Sequence, residues 1–238
     1  MRILIVSSTY QEIEKTLIRF PKRQIIVPNR MERIQHQKAE IDILITGVGM
    51  LFTAYHLGKT LATYQYDFSI NAGLSGAFDR QLALGEVVHV TKDFLPELGA
   101  ENLDNFIPLS DLNLLSEFDH PYTKNGIENI SLLNLKSILA LKKVNGITVN
   151  TVHGNEKTIQ KQMDLYFDLF KKRVQTETME GAAFLHACIQ SRLSCMQLRA
   201  VSNYVEPRNR DSWKIELAIE NLNKKLFEII NEITHDGL

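Results

Sequence analysis

Apolar residues fall into two rhythms along this chain. Short runs rich in Ile, Val and Leu alternate with longer segments whose apolar positions recur at helical spacing. The first rhythm predicts buried strands, the second amphipathic helices. Strands are expected over 2–7, 41–46, 67–72, 85–92, 147–152, 173–176 and 195–203. Residues 24–27 and 31–35 suit a short hairpin or two edge strands. Helices are expected over 11–20, 50–64, 156–170, 178–191 and 212–234. In the 50–64 helix, Leu51, Ala54, Leu57 and Leu61 form the apolar stripe. The stretch 93–145 is less regular, rich in Leu, Asn, Pro and Glu, and reads as an insertion with short helices at 109–116 and 131–141. Strand–helix alternation along the whole length predicts an α/β fold with a parallel or mixed sheet. No repeat, low-complexity segment or linker interrupts it, so residues 1–238 are expected to form a single domain.

Composition narrows the picture. Apolar residues make up 44% of 238, enough for a core without metal or disulfide support. Lys+Arg number 27 against Asp+Glu 28, a net charge of −1 that gives no electrostatic case for nucleic acid. The two cysteines, Cys188 and Cys195, sit in apolar settings and read as reduced core residues of a cytoplasmic protein. No zinc spacing occurs. The apolar run at the N-terminus ends far short of the ~20 residues a membrane span needs, so it reads as a first strand and no membrane partner is expected. The sequon Asn129-Ile130-Ser131 carries little weight in a cytosolic setting.

The candidate chemistry gathers at predicted strand ends. Ligands of open α/β sheets collect at the carboxyl edge of the strands. Gly47-Val48-Gly49 stands between a strand and a helix, where a tight turn and a ligand-lining loop both fit. Phe52 replaces the third glycine of a dinucleotide fingerprint, and no Walker lysine follows. Gly73, Leu74, Ser75 and Gly76 end another strand, as a sharp turn or as backbone that a ligand approaches closely. Glu12 and Glu180 each stand at a helix start, as dipole charges or as cleft carboxylates. A carboxylate at 180 could bind two vicinal hydroxyls, as a ribose requires. Asn203 closes an apolar strand, and the polar loop after it holds Arg208 and Arg210, a solvated turn or a lid with cations for an acidic substrate. His153, with Gly154 at another strand end, fits an ordinary loop histidine first and a cleft-lining one second.

The order of these segments resembles the methylthioadenosine/adenosylhomocysteine nucleosidases and the wider nucleoside phosphorylase superfamily. The resemblance rests on Glu12, Gly47-Val48-Gly49, Asn71 to Gly76, Met179-Glu180 and Arg199 to Asn203, and covers all but the divergent 93–145. It implies a phosphorylase/hydrolase-like three-layer sandwich with a mixed central sheet flanked by helices. It implies that Glu12 activates water, Glu180 binds ribose hydroxyls and Met179 packs on the sugar. It further implies no metal or organic cofactor, a small-molecule nucleoside as partner, and a homodimer or higher homo-oligomer whose second chain closes the 5′ pocket, with Phe94, Leu95, Leu98 and Phe106 as candidate contacts.

One departure matters. The family's purine-protonating aspartate is here Asn203. An amide offers one acceptor and one NH2 donor and gives no net proton. Its carbonyl can take N7–H and its NH2 can give to O6, which predicts a 6-oxopurine leaving group. The segments Glu177 to Ala183 and Arg199 to Trp213 look like the signature of one branch of the superfamily, whose substrate is inosine-like with a benzoate-type carboxylate on the 5′ side. Arg208 or Arg210 is then expected to meet that carboxylate. A phosphorylase and a non-catalytic nucleoside-binding domain are the rival readings. Between residues 40 and 79 the sole Lys or Arg is Lys59, and Glu12 would repel phosphate, which favours water.

Overall fold

The strand Arg2–Ser7 (β1) is buried on both sides, as its apolar run predicts, and becomes the middle of a mixed sheet. The computed structural model describes residues 1–103, 105–116, 119–123, 126–129, 135–160, 163–164 and 174–236. Thirteen strands and six helices are described: β1, α1 (Tyr10–Leu17), β2 (Arg23–Val27), β3 (Met31–His36), β4 (Ala39–Ile45), α2 (Met50–Thr63), β5 (Phe68–Ala77), β6 (Val87–Phe94), β7 (Gly99–Asn102), β8 (Asn105–Pro108), β9 (Tyr122–Thr123), β10 (Gly126–Glu128), α3 (Lys136–Leu139), β11 (Lys142–Thr148), α4 (residues 156–160), β12 (Thr176–Thr178), α5 (Gly181–Gln190), β13 (Cys195–Tyr204) and α6 (Ile215–Asp236).

Eleven strands form one sheet in the order β2-β3-β4-β1-β5-β12-β11-β6-β10-β9, with β13 pairing both β5 and β6. Strands β1, β4, β5 and β13 run parallel. Because β13 bridges β5 to β6 while β12 and β11 join the same two strands by the other route, the five strands β5, β13, β6, β11 and β12 close into a ring. One sheet face buries α1, α3 and α6 on a core of Ile3, Ile5, Ile70, Leu198, Leu222 and Ile229. The other face buries α2 and α5 on Leu4, Val6, Leu57, Phe184 and Leu185. This is the helix–sheet–helix layering expected from the sequence.

Several boundaries differ from the expected ones, for identifiable reasons. β5 runs on to Ala77, so Gly73 and Gly76 lie in a strand held by β13 and not in a turn. Residues 147–152 were expected as a strand; the strand is Lys142–Thr148, because parallel pairing with β6 starts at Lys142, despite its charge. Expected strand 173–176 is Thr176–Thr178, with residue 173 outside the described residues. Of helix 156–170, residues 156–160, 163 and 164 are helical and the rest lie outside the described residues. Residues 109–115 form turns and no helix, with Asn113 at φ 55°, a left-handed conformation that stops propagation. Of 131–141, residues Lys136–Leu139 are helical, and 131–134 lie outside the described residues. The hairpin of β7 and β8 was not foreseen. On α2 the buried stripe is Thr53, Leu57 and Thr60, while Leu51 is 76% exposed and Ala54 is exposed.

Candidate active site

Glu12 stands in the first turn of α1, and its two oxygens do different work. Oε2 accepts from the Thr9 amide (3.1 Å) and from the hydroxyls of Ser7 (3.1 Å), Ser8 (2.6 Å) and Thr9 (3.1 Å). Oε1 accepts from the Leu74 amide of β5 at 3.0 Å. The first set fixes the side chain as an N-terminal cap does. The second leaves Oε1 aimed at the Gly73-Leu74 backbone with spare acceptor capacity.

Glu180 is the N-cap residue of α5, one position before the helix in which it was expected. Its side chain caps nothing. Thr178 Oγ1 accepts from the Gly181 amide (3.2 Å), and Thr148 Oγ1 from the Ala182 amide (2.7 Å). With the helix end satisfied by these hydroxyls, the Glu180 carboxylate is free for the cleft. Oε1 accepts from the Gly49 amide at 3.0 Å, and Oε2 lies 4.0 Å from Arg199 Nη1. Burial pushes the Glu180 carboxyl up, Arg199 and the Gly49 amide pull it down, and the Glu12 charge pushes it up again. That last effect places the two carboxylates within electrostatic reach of each other.

Arg199 was not singled out as a site residue. It is 1% exposed, yet it stands in the middle of β13. Its Nε donates to Gln197 Oε1 (3.0 Å), its Nη2 to Asn71 Oδ1, and its Nη1 faces Glu180. Gln197 Nε2 in turn donates to Asp93 Oδ2 (2.9 Å), and Thr148 Oγ1 donates to Asp93 Oδ1 (2.8 Å). The signal was there: an arginine inside an apolar strand run must meet a charge or leave one unpaired. At Gly73 a Cβ would overlap the Arg199 guanidinium and lie 3.0 Å from Glu12 Oε1. Glycine there keeps the gap between cation and carboxylate open.

Asn203 sits beyond a β-bulge in β13, opposite Gly76. Its Oδ1 accepts from Ser202 Oγ (2.8 Å) and its Nδ2 donates to the Tyr204 carbonyl (3.0 Å). Ser75 is buried, with no partner for its hydroxyl among the described residues. Met179 is half-buried beside Glu180. His153 is no free loop histidine: its Nδ1 bonds Glu177 Oε2 at 2.6 Å and its amide donates to Glu177 Oε1 at 3.1 Å. Sequence reasoning missed this pair. Arg208 and Arg210 are exposed over Trp213, at 5.1 and 5.8 Å from the ring centre, and the Arg208 amide donates to the Gly154 carbonyl (3.1 Å).

Gly47 and Gly49, at φ 90° and 106°, make the tight turn that delivers the Gly49 amide to Glu180. The fold also brings Arg30 to it, donating to the carbonyls of Ile45 (3.2 Å) and Thr46 (2.9 Å), whereas Lys59 is exposed. Lys59 is the sole Lys or Arg between residues 40 and 79, and Arg30 reaches the turn from outside that span. Phe94, a candidate partner contact, is instead in the core with Ile147 and Val149. Among the described residues no group of three His, Cys, Asp or Glu side chains could hold a metal ion.

A half-buried carboxylate, a buried one, a buried arginine and a carboxamide gather around a glycine-bearing strand. The fold is that of the purine-nucleoside N-glycosyl hydrolases: a methylthioadenosine/adenosylhomocysteine nucleosidase from Colwellia psychrerythraea 34H, solved in complex with adenine, superposes with a TM-score of 0.78 at 17% identity, covering 98% of this chain and 95% of that one. The futalosine hydrolase of Helicobacter pylori strain 26695 superposes with a TM-score of 0.75 at 16% identity, covering 98% of each chain. No family model matches the sequence. The futalosine hydrolase of Acidothermus cellulolyticus is 30% identical over 203 residues, 82% of this chain and 77% of that relative, and the chain belongs to the futalosine hydrolase family.

Proposed function

We propose that this chain hydrolyses the N-ribosidic bond of futalosine, releasing hypoxanthine and dehypoxanthine futalosine in the menaquinone pathway that runs through futalosine. One observation carries the reading. Glu12 and Glu180, from helices on opposite faces of the sheet, converge on the backbone around Gly73 and Gly49 beside Arg199, on the strand that also carries Asn203. Glu12 Oε1 would accept the proton of the attacking water. Glu180 would hold the 2′- and 3′-hydroxyls, with Met179 against the sugar, fixing the ring for attack. A proton delivered to N7 by water, and not by Asn203, would leave with the base; Asn203 would bond the resulting N7–H and O6 as charge develops in an oxocarbenium-like transition state. The backbone of Gly73, Leu74, Ser75 and Gly76 would floor the site. Arg208 and Arg210 supply cations for the 5′ carboxylate. The reading takes residues 1–238 as one nucleosidase domain acting in the cytoplasm without metal or cofactor.

A second copy of the chain would complete the 5′ side. The apolar side chains of Val48, Leu51, Phe52 and Tyr55, all about half or more exposed beside the Gly49 turn, support that assembly. Sedimentation should give a dimer or larger, and Leu51→Arg should shift it toward monomer.

Arg30 beside the Gly47 turn is the one observation that favours a phosphorylase. Its Nη1 is committed to two carbonyls, and two carboxylates face the same space, so water remains the favoured nucleophile. The experiment is hypoxanthine release from futalosine in phosphate-free buffer, beside inosine and methylthioadenosine. Release from futalosine alone is expected. Adenine release from methylthioadenosine would overturn the role given to Asn203, and turnover only with phosphate would overturn the hydrolase.

A further inference from the structure

Arg199 can only donate, so each side chain that holds it must turn an oxygen toward it. Gln197 does so from two residues earlier on the same face of β13, its Oε1 accepting from Arg199 Nε at 3.0 Å. An amide can turn either way, and a reversed one would set its NH2 against the guanidinium. Asp93 on β6 prevents the reversal. Its Oδ2 accepts from Gln197 Nε2 at 2.9 Å, and a carboxylate has no hydrogen to offer in return. Asn71 is fixed by the same logic: its Nδ2 donates to the Val6 carbonyl (3.1 Å), which leaves Oδ1 for Arg199 Nη2.

The second oxygen of Asp93 reaches the other side of the site. Oδ1 accepts from the Thr148 hydroxyl (2.8 Å), whose oxygen accepts from the Ala182 amide in the first turn of α5 (2.7 Å). Glu180 stands just before that helix, with its Oε2 4.0 Å from Arg199 Nη1. One carboxylate therefore ties down both the guanidinium and the helix start whose carboxylate faces it. Asp93, Gln197 and Thr148 are each fully buried, so none of them can touch a substrate. A buried charge is costly, and apolar side chains of similar volume would fill the same space without that cost. Packing alone thus gives no reason for the relay, whereas the direction of its bonds does.

We propose that Asp93 and Gln197 are positioning residues: acting in series, they fix the orientation of the Arg199 guanidinium against Glu180 and the gap at Gly73, and so the geometry in which the sugar and the attacking water are held. The proposal rests on the nucleosidase reading of that gap. It extends the reading to two side chains that act only through another.

The test cuts the relay and then rebuilds it with the groups exchanged. Gln197→Met removes the bridge and keeps a side chain of similar length. In the double variant Asp93→Asn/Gln197→Glu, amide and carboxylate change places. The amide can then donate to the carboxylate and accept from Thr148, the carboxylate accepts from Arg199 Nε, and the total charge is kept. For both variants kcat/KM per folded protein is measured beside the urea midpoint, on whichever of futalosine, inosine and methylthioadenosine the wild type cleaves. Gln197→Met should lower kcat/KM about 100-fold, the effect of a displacement of about 1 Å at a reacting centre, and the double variant should recover it to within about tenfold of wild type. A purely structural role predicts a lower midpoint for Gln197→Met with kcat/KM of the folded protein unchanged, and that result overturns the proposal. So does a folded double variant no more active than Gln197→Met, since the direction of the bonds would then not matter. If one variant does not fold, the other decides by the same thresholds. A wild type that cleaves none of the three nucleosides sinks the nucleosidase reading and the proposal with it. Cleavage by the wild type with an unmoved Gln197→Met sinks the positioning role alone.

Discussion

Gly181 stands where the start of α5 meets the buried polar cluster behind the site. A Cβ there would overlap Asp93 Oδ2 and the Gln197 side-chain amide. Neither can yield, because Thr148 holds Asp93 and Arg199 holds Gln197. Gly181→Ala should therefore cost about 1–3 kcal/mol, the overpacking range, read as a fall in urea midpoint; a wild-type midpoint would show that the cluster is softer than its bonding implies. Glu12→Gln keeps the side chain's shape and an acceptor oxygen but loses the base. It should lower kcat by about 10²–10⁴-fold and cost about 1–3 kcal/mol, because its NH2 would face the Leu74 amide donor; a kcat within a few-fold of wild type would take the general-base role from Glu12. The residues that touch the cleft from helix starts and strand ends were legible because their types and order carry chemistry. Arg199, Glu177 and Asp93 were not. Their meaning lies in partners 24 to 128 positions away, such as Asn71 for Arg199, and only strand register brings them together.

At the scale of elements, α6 fixes the height of α1 and so of Glu12. The buried Asn223 accepts from the Thr16 amide (2.7 Å) and donates to the carbonyls of Glu12 (2.7 Å) and Ile219 (2.7 Å). Asn223→Ala leaves the buried Thr16 amide without its side-chain acceptor and should cost about 1–3 kcal/mol. It should also lower kcat more than it raises KM, because it displaces the base and not the sugar contacts. Loss of stability with kinetics intact would mean that α1 is held by its apolar face alone. Element existence followed from periodicity, since β1, β4, β13 and α6 are long and patterned. Where boundaries differed, pairing outweighed local pattern. Lys142 and Lys143 look like loop but open β11 because β6 offers a parallel edge. Leu51 sits on the α2 stripe by spacing yet is exposed, and Thr53 and Thr60 are buried beneath the helix in its place.

Across the molecule two buried titrating groups oppose one another. Asp93 is pushed up to about 6 from 3.8, chiefly by burial, against its bonds to Gln197 and Thr148. The folded state then holds more protons than the unfolded chain between about 4 and 6, so this group's contribution falls as pH rises through that window. His89 is pulled down to about 4 from 6.5 by burial and then by Lys143. The unfolded chain holds more protons there, so its contribution falls as pH drops through nearly the same window. Each effect spans about two units, roughly 3 kcal/mol, and the two largely cancel. Asp93→Asn should expose the histidine slope, making stability fall more steeply from pH 6.5 to 4 than in the wild type. His89→Leu should expose the aspartate slope, with urea midpoints rising on the same acidification. Parallel pH profiles for all three proteins would refute the pairing. The layering was readable from strand–helix alternation, but the closure of β5, β13, β6, β11 and β12 into a ring was not, since no local pattern encodes which strands meet twice. That closure has a kinetic meaning. A ring has no unpaired flank from which strands can peel one at a time, and its most distant seam joins residues 69–77 of β5 to 195–204 of β13, 126 to 127 positions apart. Loop-closure entropy makes so distant a seam a late event in folding. Gly76 and Asn203 lie on it, so binding of the base should return only with the slowest refolding phase, and no half-folded form should recognise a purine.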